Sequence, residues 1–167
     1  MKKLAAILAA ALFAGQASVG AEKQELEAAK HEYEQSSRDE AARATYVTKL
    51  AKIRHRQIQN YWKTGDKDFD SATAVNEELR KHRAPATSDS KKLSQFLIGK
   101  WQSPRRVYVF RENGKWGDED GGADSNWRIK GNQLIKDGSR GTIILLNSDY
   151  FIYAEGNAVF FHARVKE

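Results

Sequence analysis

The segment RVYVFRENGKW, residues 106–116, reads as two strands joined by a tight turn. Arg106, Tyr108 and Phe110 alternate with Val107 and Val109, the period-two pattern of a half-buried strand. Asn113-Gly114 adds a two-residue hairpin signal. The same grammar continues to the C-terminus. Ser125 to Lys130 alternates, with Trp127 and Ile129 on one face, and Gly131-Asn132 follows as a turn. Asp137-Gly138 and Asn147-Ser148-Asp149 bracket Gly141 to Leu146, a run apolar on both faces. Tyr150 to Ala154, the Glu155-Gly156-Asn157 turn and Ala158 to Val165 complete the pattern. Seven or so short strands at this spacing predict an antiparallel meander, and closing it into a small barrel removes exposed sheet edges.

Working back from residue 106, the grammar changes near Pro85. Residues 84–92, APATSDSKK, read as a linker, and a helical turn starting at Ser88 or Asp89 carries Leu93, Phe96 and Leu97. Before Pro85 glycine and proline are nearly absent, and Ala, Glu, Lys, Arg and Gln dominate. Glu22 to Gln35 predicts a helix with Leu26, Ala29 and Tyr33 on one stripe and an acidic first turn suited to the helix N-terminus. Ser37-Arg38-Asp39-Glu40 fits a capping box opening a second helix, from about Arg38 to Lys63. Val47, Ala51, Arg54, Ile58 and Tyr61 form one of its rows; Tyr46, Leu50, Ile53 and Gln57 form the next. Gly65 supplies a left-handed stop. Asp66 or Asp68 caps a third helix with Phe69, Ala72, Val75 and Leu79 as its stripe. The expected architecture is α+β. Residues 22–83 form a helical hairpin of two to three helices, and residues 93–167 form an antiparallel β-domain, a small barrel or meander.

The first residues carry a different message. Met1-Lys2-Lys3 is basic, Leu4 to Ala14 is apolar, and Gly15 to Ala21 ends in small residues. That is the pattern of a cleavable secretory signal peptide, residues 1–21, cut after Ala21. The apolar run is well short of the roughly 20 residues that span a bilayer. The expected location is periplasmic or secreted, with no stable membrane anchor. The sequence has no cysteine, which closes both lipid attachment at a cleavage site and disulfides. Its formal charge is +6, and losing Lys2 and Lys3 leaves +6 − 2 = +4. Mild basicity favours weak attraction to anionic surfaces without naming a ligand.

Leu97-Ile98-Gly99-Lys100-Trp101 resembles the opening of lipocalin-like barrels. In that family a helical turn leads into a Gly-x-Trp on the first strand. The resemblance covers about the last 75 residues. It implies that Trp101 packs across the base of a barrel against an arginine near the chain's end, for which Arg164 is the candidate. The whole chain also resembles a group of uncharacterised secreted bacterial proteins with a helical start and this β end, a likeness that implies export and no activity.

Catalytic and metal signatures are sparse. Residues 118–124, DEDGGAD, are the densest acidic segment, and Asp118, Asp120 and Asp124 are a calcium candidate on oxygen-donor grounds, without EF-hand spacing. A carboxylate pair for sugar hydrolysis needs two acids facing across a cleft, which one loop does not supply. His31, His55, His82 and His162 fall at no zinc-site spacing, and His162 reads as a surface or rim residue. There is no nucleophile elbow and no phosphate loop. No cofactor is implied. Lys49, Lys52, Arg54 and Arg56, with Arg105 and Arg106, offer positive charge to anionic lipid, cell-wall polymer or acidic protein. Nucleic acid is disfavoured by export.

Eleven of the seventeen aromatic residues fall between Phe96 and Phe161. Adjacent pairs, Tyr150-Phe151 and Phe160-Phe161, must point to opposite strand faces. The expected ligand-binding set is Trp101, Tyr108, Phe110, Trp116, Trp127, Tyr150, Tyr153, Phe160, His162 and Arg164. The leading function is non-catalytic: an exported protein that binds an unknown protein or an anionic or apolar ligand, with enzyme inhibition inside that class. The alternative is a cell-wall or carbohydrate hydrolase built on residues 118–124. A third reading is a homo-oligomer formed through helix 38–63.

Overall fold

The computed structural model describes residues 20–65, 69–85, 88–121 and 124–166. It is an α+β protein in which helices precede a closed antiparallel barrel of eight strands. Two compact units meet between Val75 and Asn76. The expected signal segment up to residue 19, the caps Asp66 and Asp68, and the Phe69 side chain lie outside the described residues.

In the first unit, α1 (residues 20–34) and α2 (Glu40–Thr64) form the expected hairpin. Leu26 and Ala29 from α1 are buried, as are Tyr46, Val47, Leu50, Ala51, Ile53 and Ile58 from α2. Tyr33 stacks on Tyr46 with ring centroids 4.6 Å apart. Lys49 pairs with Glu32, and Arg56 with Glu25, so the two helices run antiparallel. These exposed pairs fix register more than they stabilise. The cap of α2 differs from the expected box. Asp39 is the N-cap: its Oδ1 accepts from the Ala42 amide at 2.8 Å, while Ser37 Oγ donates to Asp39 Oδ2. The helix therefore starts two residues late, because the carboxylate outcompetes the serine hydroxyl for the free amide. Gly65 ends α2 in the left-handed conformation, as the sequence predicts. α3 (Phe69–Lys81) crosses the unit boundary, with Val75 and Leu79 fully buried.

In the second unit, Asp89 caps α4 (Ser90–Leu97) by accepting from the Lys91 and Lys92 amides. Eight strands follow: β1 (Gly99–Gln102), β2 (Val107–Phe110), β3 (Lys115–Asp118), β4 (Ser125–Lys130), β5 (Gln133–Lys136), β6 (Ser139–Leu146), β7 (Tyr150–Glu155) and β8 (Ala158–Arg164). Each pairs antiparallel with the next, and β1 closes on β8 through Trp101↔Arg164 and Gln102↔Ala163. The count exceeds the expected seven or so because β5 is four residues long and hides between two turns. A register shift between Ile143 and Leu145 inserts Ile144 as a bulge. The bulge lets Ile143 and Leu146 both join the interior, which accounts for a run apolar on both faces. The turn at Asn113-Gly114 also departs from expectation. Gly114 alone takes positive φ and its amide donates to the Arg111 carbonyl, so this is a three-residue loop rather than a two-residue one.

Successive hairpins alternate between the two ends of the barrel. The turns at 111–114, 131–132 and 147–149 share one end with α4, whose Leu93 and Leu97 enter the interior cluster. Gly131 donates its amide to Ser90 Oγ at 2.7 Å, tying α4 to that end. The connections at 103–106, 119–121, 137–138 and 156–157 gather at the other end. Among the described residues no helix is long and apolar enough to cross a membrane.

Candidate functional site

Strand alternation sorts the side chains of the barrel. Register pairs Trp101 with Tyr108 and Arg164, Phe110 with Trp116, Trp127 with Lys136, Phe151 with His162, and Tyr153 with Phe160. All of these face inward. Nine of the ten expected binding residues are thus brought together: Trp101, Tyr108, Phe110, Trp116, Trp127, Tyr153, Phe160, His162 and Arg164. Tyr150 is the exception. It adjoins Phe151 and faces the opposite side, 5.7 Å from the Phe161 ring.

The α4 end is sealed. The Arg164 guanidinium lies 3.9 Å from the Trp101 ring centroid. Its Nη1 donates to the Ile98 carbonyl at 2.6 Å and its Nη2 donates to the Phe96 carbonyl. Trp101 Nε1 donates to the Leu97 carbonyl at 2.7 Å. The last turn of α4 leaves its carbonyls unpaired, and these donors satisfy them. The Trp101–Arg164 contact is the one the lipocalin resemblance implies.

The middle is filled by aromatic packing. Phe110 meets Trp127 and Phe151 edge-on at 5.7 and 5.8 Å. Trp127 Nε1 donates to the Lys115 carbonyl at 3.0 Å, so its polar edge is satisfied. His162 belongs to this layer. It is 4% exposed, not a surface or rim residue as the sequence suggested, because its cross-strand partner Phe151 is inward. Phe151, Tyr153 and Tyr108 surround its ring at 5.1, 5.8 and 5.7 Å. Its Nδ1 is buried without a hydrogen bond.

The far end is different. Phe160 faces inward yet is 39% exposed, because it lies near the start of β8, at the end of the barrel away from α4. One face of its ring stacks on Tyr153 at 4.8 Å and 10°. Lys136 reaches into the same place. Its Nζ sits 4.5 Å from the Tyr153 ring centroid, 4.8 Å from Trp116 and 5.8 Å from Phe160. It donates to Tyr153 Oη at 2.5 Å. No carboxylate among the described residues lies within ion-pair distance of it. The end of the barrel is therefore a half-buried ammonium in a ring of aromatic faces.

Burial governs the titration of this cluster. It pulls Lys136 below its usual value, with Glu155 and Asp137 pulling weakly back. It pushes the Tyr153 phenol well above its usual value. Burial, then the Lys136 charge, depress His162 to about 3, against a small opposing pull from the Phe151 backbone. The imidazole is neutral at physiological pH and a weak base, and the phenol does not ionise. Neither is tuned for proton transfer near neutrality.

The acidic segment is spoken for by cations. Asp118 pairs with Arg106 at 2.7 Å, Glu119 with Lys100 at 3.0 Å, and Asp124 with Arg111. Among the described residues no group of three metal-ligating side chains gathers, so Asp118, Asp120 and Asp124 are not brought together as a calcium cage. Gly122 and Ala123 of that segment lie outside the described residues. On α2, Lys49 and Arg56 are engaged by α1, which reduces the positive charge expected of that helix.

Sequence reasoning missed Lys136 and Phe151. Phe151 was readable as the inward member of its pair once Tyr150 was turned out. The signal for Lys136 was its place two residues after Leu134 and one before Asp137-Gly138, which gives it the same face as Leu134. A lysine at the end of a four-residue strand looks like an ordinary surface charge, and that hid it. No family model matches this chain, and no curated protein matches it.

Proposed function

We propose that this protein is an exported, non-catalytic binding protein that uses the open end of its barrel. The observation that carries the reading is Phe160. An inward-facing aromatic ring, stacked on one side and open to solvent on the other, ends a continuous aromatic column. Such a ring is a stacking platform for an apolar or aromatic group. The depressed basicity of His162 and the raised phenol of Tyr153 favour binding over acid–base chemistry. Export rests on the basic start, the short apolar run and the small residues before Glu22, and fits the secreted bacterial group that the sequence resembles. Partners of this kind are small molecules or exposed protein side chains in the periplasm or outside the cell.

A neutral aromatic fluorophore, N-phenyl-1-naphthylamine, tests the binding reading. It is expected to gain fluorescence with the wild-type chain. Phe160→Ser is expected to abolish the gain, and the double change Asp120→Ala, Asp124→Ala to leave it intact. Loss of binding only in the double variant would move the function to the acidic segment. Fractionation of expressing cells should give a product beginning at Glu22 outside the cytoplasm. Intact chain in the cytosol would remove export.

A further inference from the structure

We infer that the open end of the barrel selects an aromatic organic anion, its ring on Phe160 and its charged group on Lys136. This rests on the binding reading above and names the ligand class for it. Three observations converge. The Lys136 ammonium is partly desolvated and has no carboxylate within 4.0 Å among the described residues, although every resolved acid of the nearby 118–124 segment except Asp120 has found a cation. A cation taken out of water without a counter-ion is a standing demand for an anion. The rings of Trp116, Tyr153 and Phe160 hold it by their faces, which orders the side chain without neutralising it.

The second observation is geometric. Phe160 offers one ring face to a stacking partner, and its centroid is 5.8 Å from Lys136 Nζ. An aromatic acid stacked on Phe160 spans that gap: its carboxylate projects past the ring edge, and an N–H···O contact covers about 3 Å more. The third is His162. Its buried, unpartnered Nδ1 lies in the layer beneath Tyr153, so the site floor holds spare polar capacity but no negative charge. Among the described residues, the charges at this end include Lys136 itself, the Arg106–Asp118 pair at the rim, Arg80, which donates to the Asn157 carbonyl, and Glu155 and Asp137, which act on Lys136 from beyond contact. Glu155 and Asp137, the latter accepting a hydrogen bond from the Asn126 amide at 2.8 Å, keep the entrance from being a general anion trap. They leave the ammonium to a ligand whose ring can also stack.

The test compares 2-naphthoate with its neutral isostere 2-naphthamide on the purified full chain, followed by tryptophan fluorescence. Naphthoate is expected to bind about tenfold more tightly, the worth of one charge-assisted hydrogen bond. Lys136→Met is expected to erase that preference, leaving the two probes within about twofold of each other. Lys136→Gln replaces the methionine variant should that one fail to fold by circular dichroism. Equal binding of the two probes, or a naphthoate preference that survives both Lys136 substitutions, overturns the anion assignment and leaves the binding reading standing. No binding of either probe, or binding unchanged by Phe160→Ser, overturns both.

Discussion

A Cβ placed on Gly99 would stand 2.5 Å from Arg164 Nη1, so the first residue of the barrel is a glycine because the last strand's arginine passes over it. Gly99 also holds φ at +124°, a conformation side chains rarely adopt. Gly99→Ala therefore meets two penalties and is expected to cost roughly 2–4 kcal/mol in urea unfolding. Arg164→Ala loses the face contact with Trp101 and two charged hydrogen bonds, and should cost a similar roughly 2–4 kcal/mol. The double variant should cost clearly less than the sum, since removing the guanidinium removes the clash. Strict additivity would mean that the two residues do not share this contact.

This relationship also shows what the sequence made legible. Gly99, Trp101 and Arg164 could be singled out because the lipocalin resemblance couples the first strand to the last. Strand alternation alone placed Tyr108 with Phe110 and Trp127 with Ile129. It did not place Lys136, since a four-residue strand gives too few alternations to separate inward from outward. Nor could alternation show that His162 is buried, because that depends on whether Phe151 or Tyr150 turns in, and nothing local distinguishes two adjacent aromatics. The closing pair β1–β8 is set by the sum of all the registers, including the Ile144 bulge, and no single segment encodes it.

Gly141 and Tyr153 form a second close approach. A Cβ on Gly141 would collide with Tyr153 Cδ2. The ring has Phe160 stacked on it and Lys136 bonded to its hydroxyl, so it has nowhere to retreat. Gly141→Ala is expected to lower stability by about 1–3 kcal/mol. It should also shift the fluorescence of the open-end site, because Tyr153 carries Lys136. Combining it with Tyr153→Ala should recover most of the Gly141→Ala cost. A Gly141→Ala protein as stable as wild type would mean that the ring moves freely.

The α2 cap makes a smaller, local prediction. Asp39→Ala leaves the Ala42 amide without its acceptor and is expected to cost about 1 kcal/mol in thermal or urea unfolding. Asp39→Asn keeps the acceptor and should cost less. Ser37→Ala should cost least of the three, since Ser37 Oγ contacts the carboxylate rather than a backbone amide. A larger loss from Ser37→Ala than from Asp39→Ala would restore the serine to the capping position.

His162 makes the stability of the fold depend on pH in a defined direction. Its folded value is about 3, below the ordinary 6.5. Between those values the unfolded chain binds a proton that the folded chain refuses, so stability rises with pH across that window and falls as acid is added. One such group gives a slope approaching about 1.4 kcal/mol per pH unit. The rings of Tyr108, Phe151 and Tyr153 pack on it, and the charge acting on it is Lys136. The carboxylates Asp39 and Asp137 are also depressed, by hydrogen bonds, but their contribution is lost only as pH falls through and below the ordinary carboxylate range. The interval from pH 6.5 down to about 4.5 is thus the histidine window, in which His55, also lowered by burial, adds to His162 with the same sign. His162→Phe, which refills the space with an apolar ring, should flatten the slope there while changing stability little at pH 8. Lys136→Met should raise the His162 value, read from its ring proton shifts, because the cation that disfavours protonation is gone. Parallel loss of stability in wild type and His162→Phe from pH 6.5 to 4.5 would show that the buried imidazole is not what acid attacks.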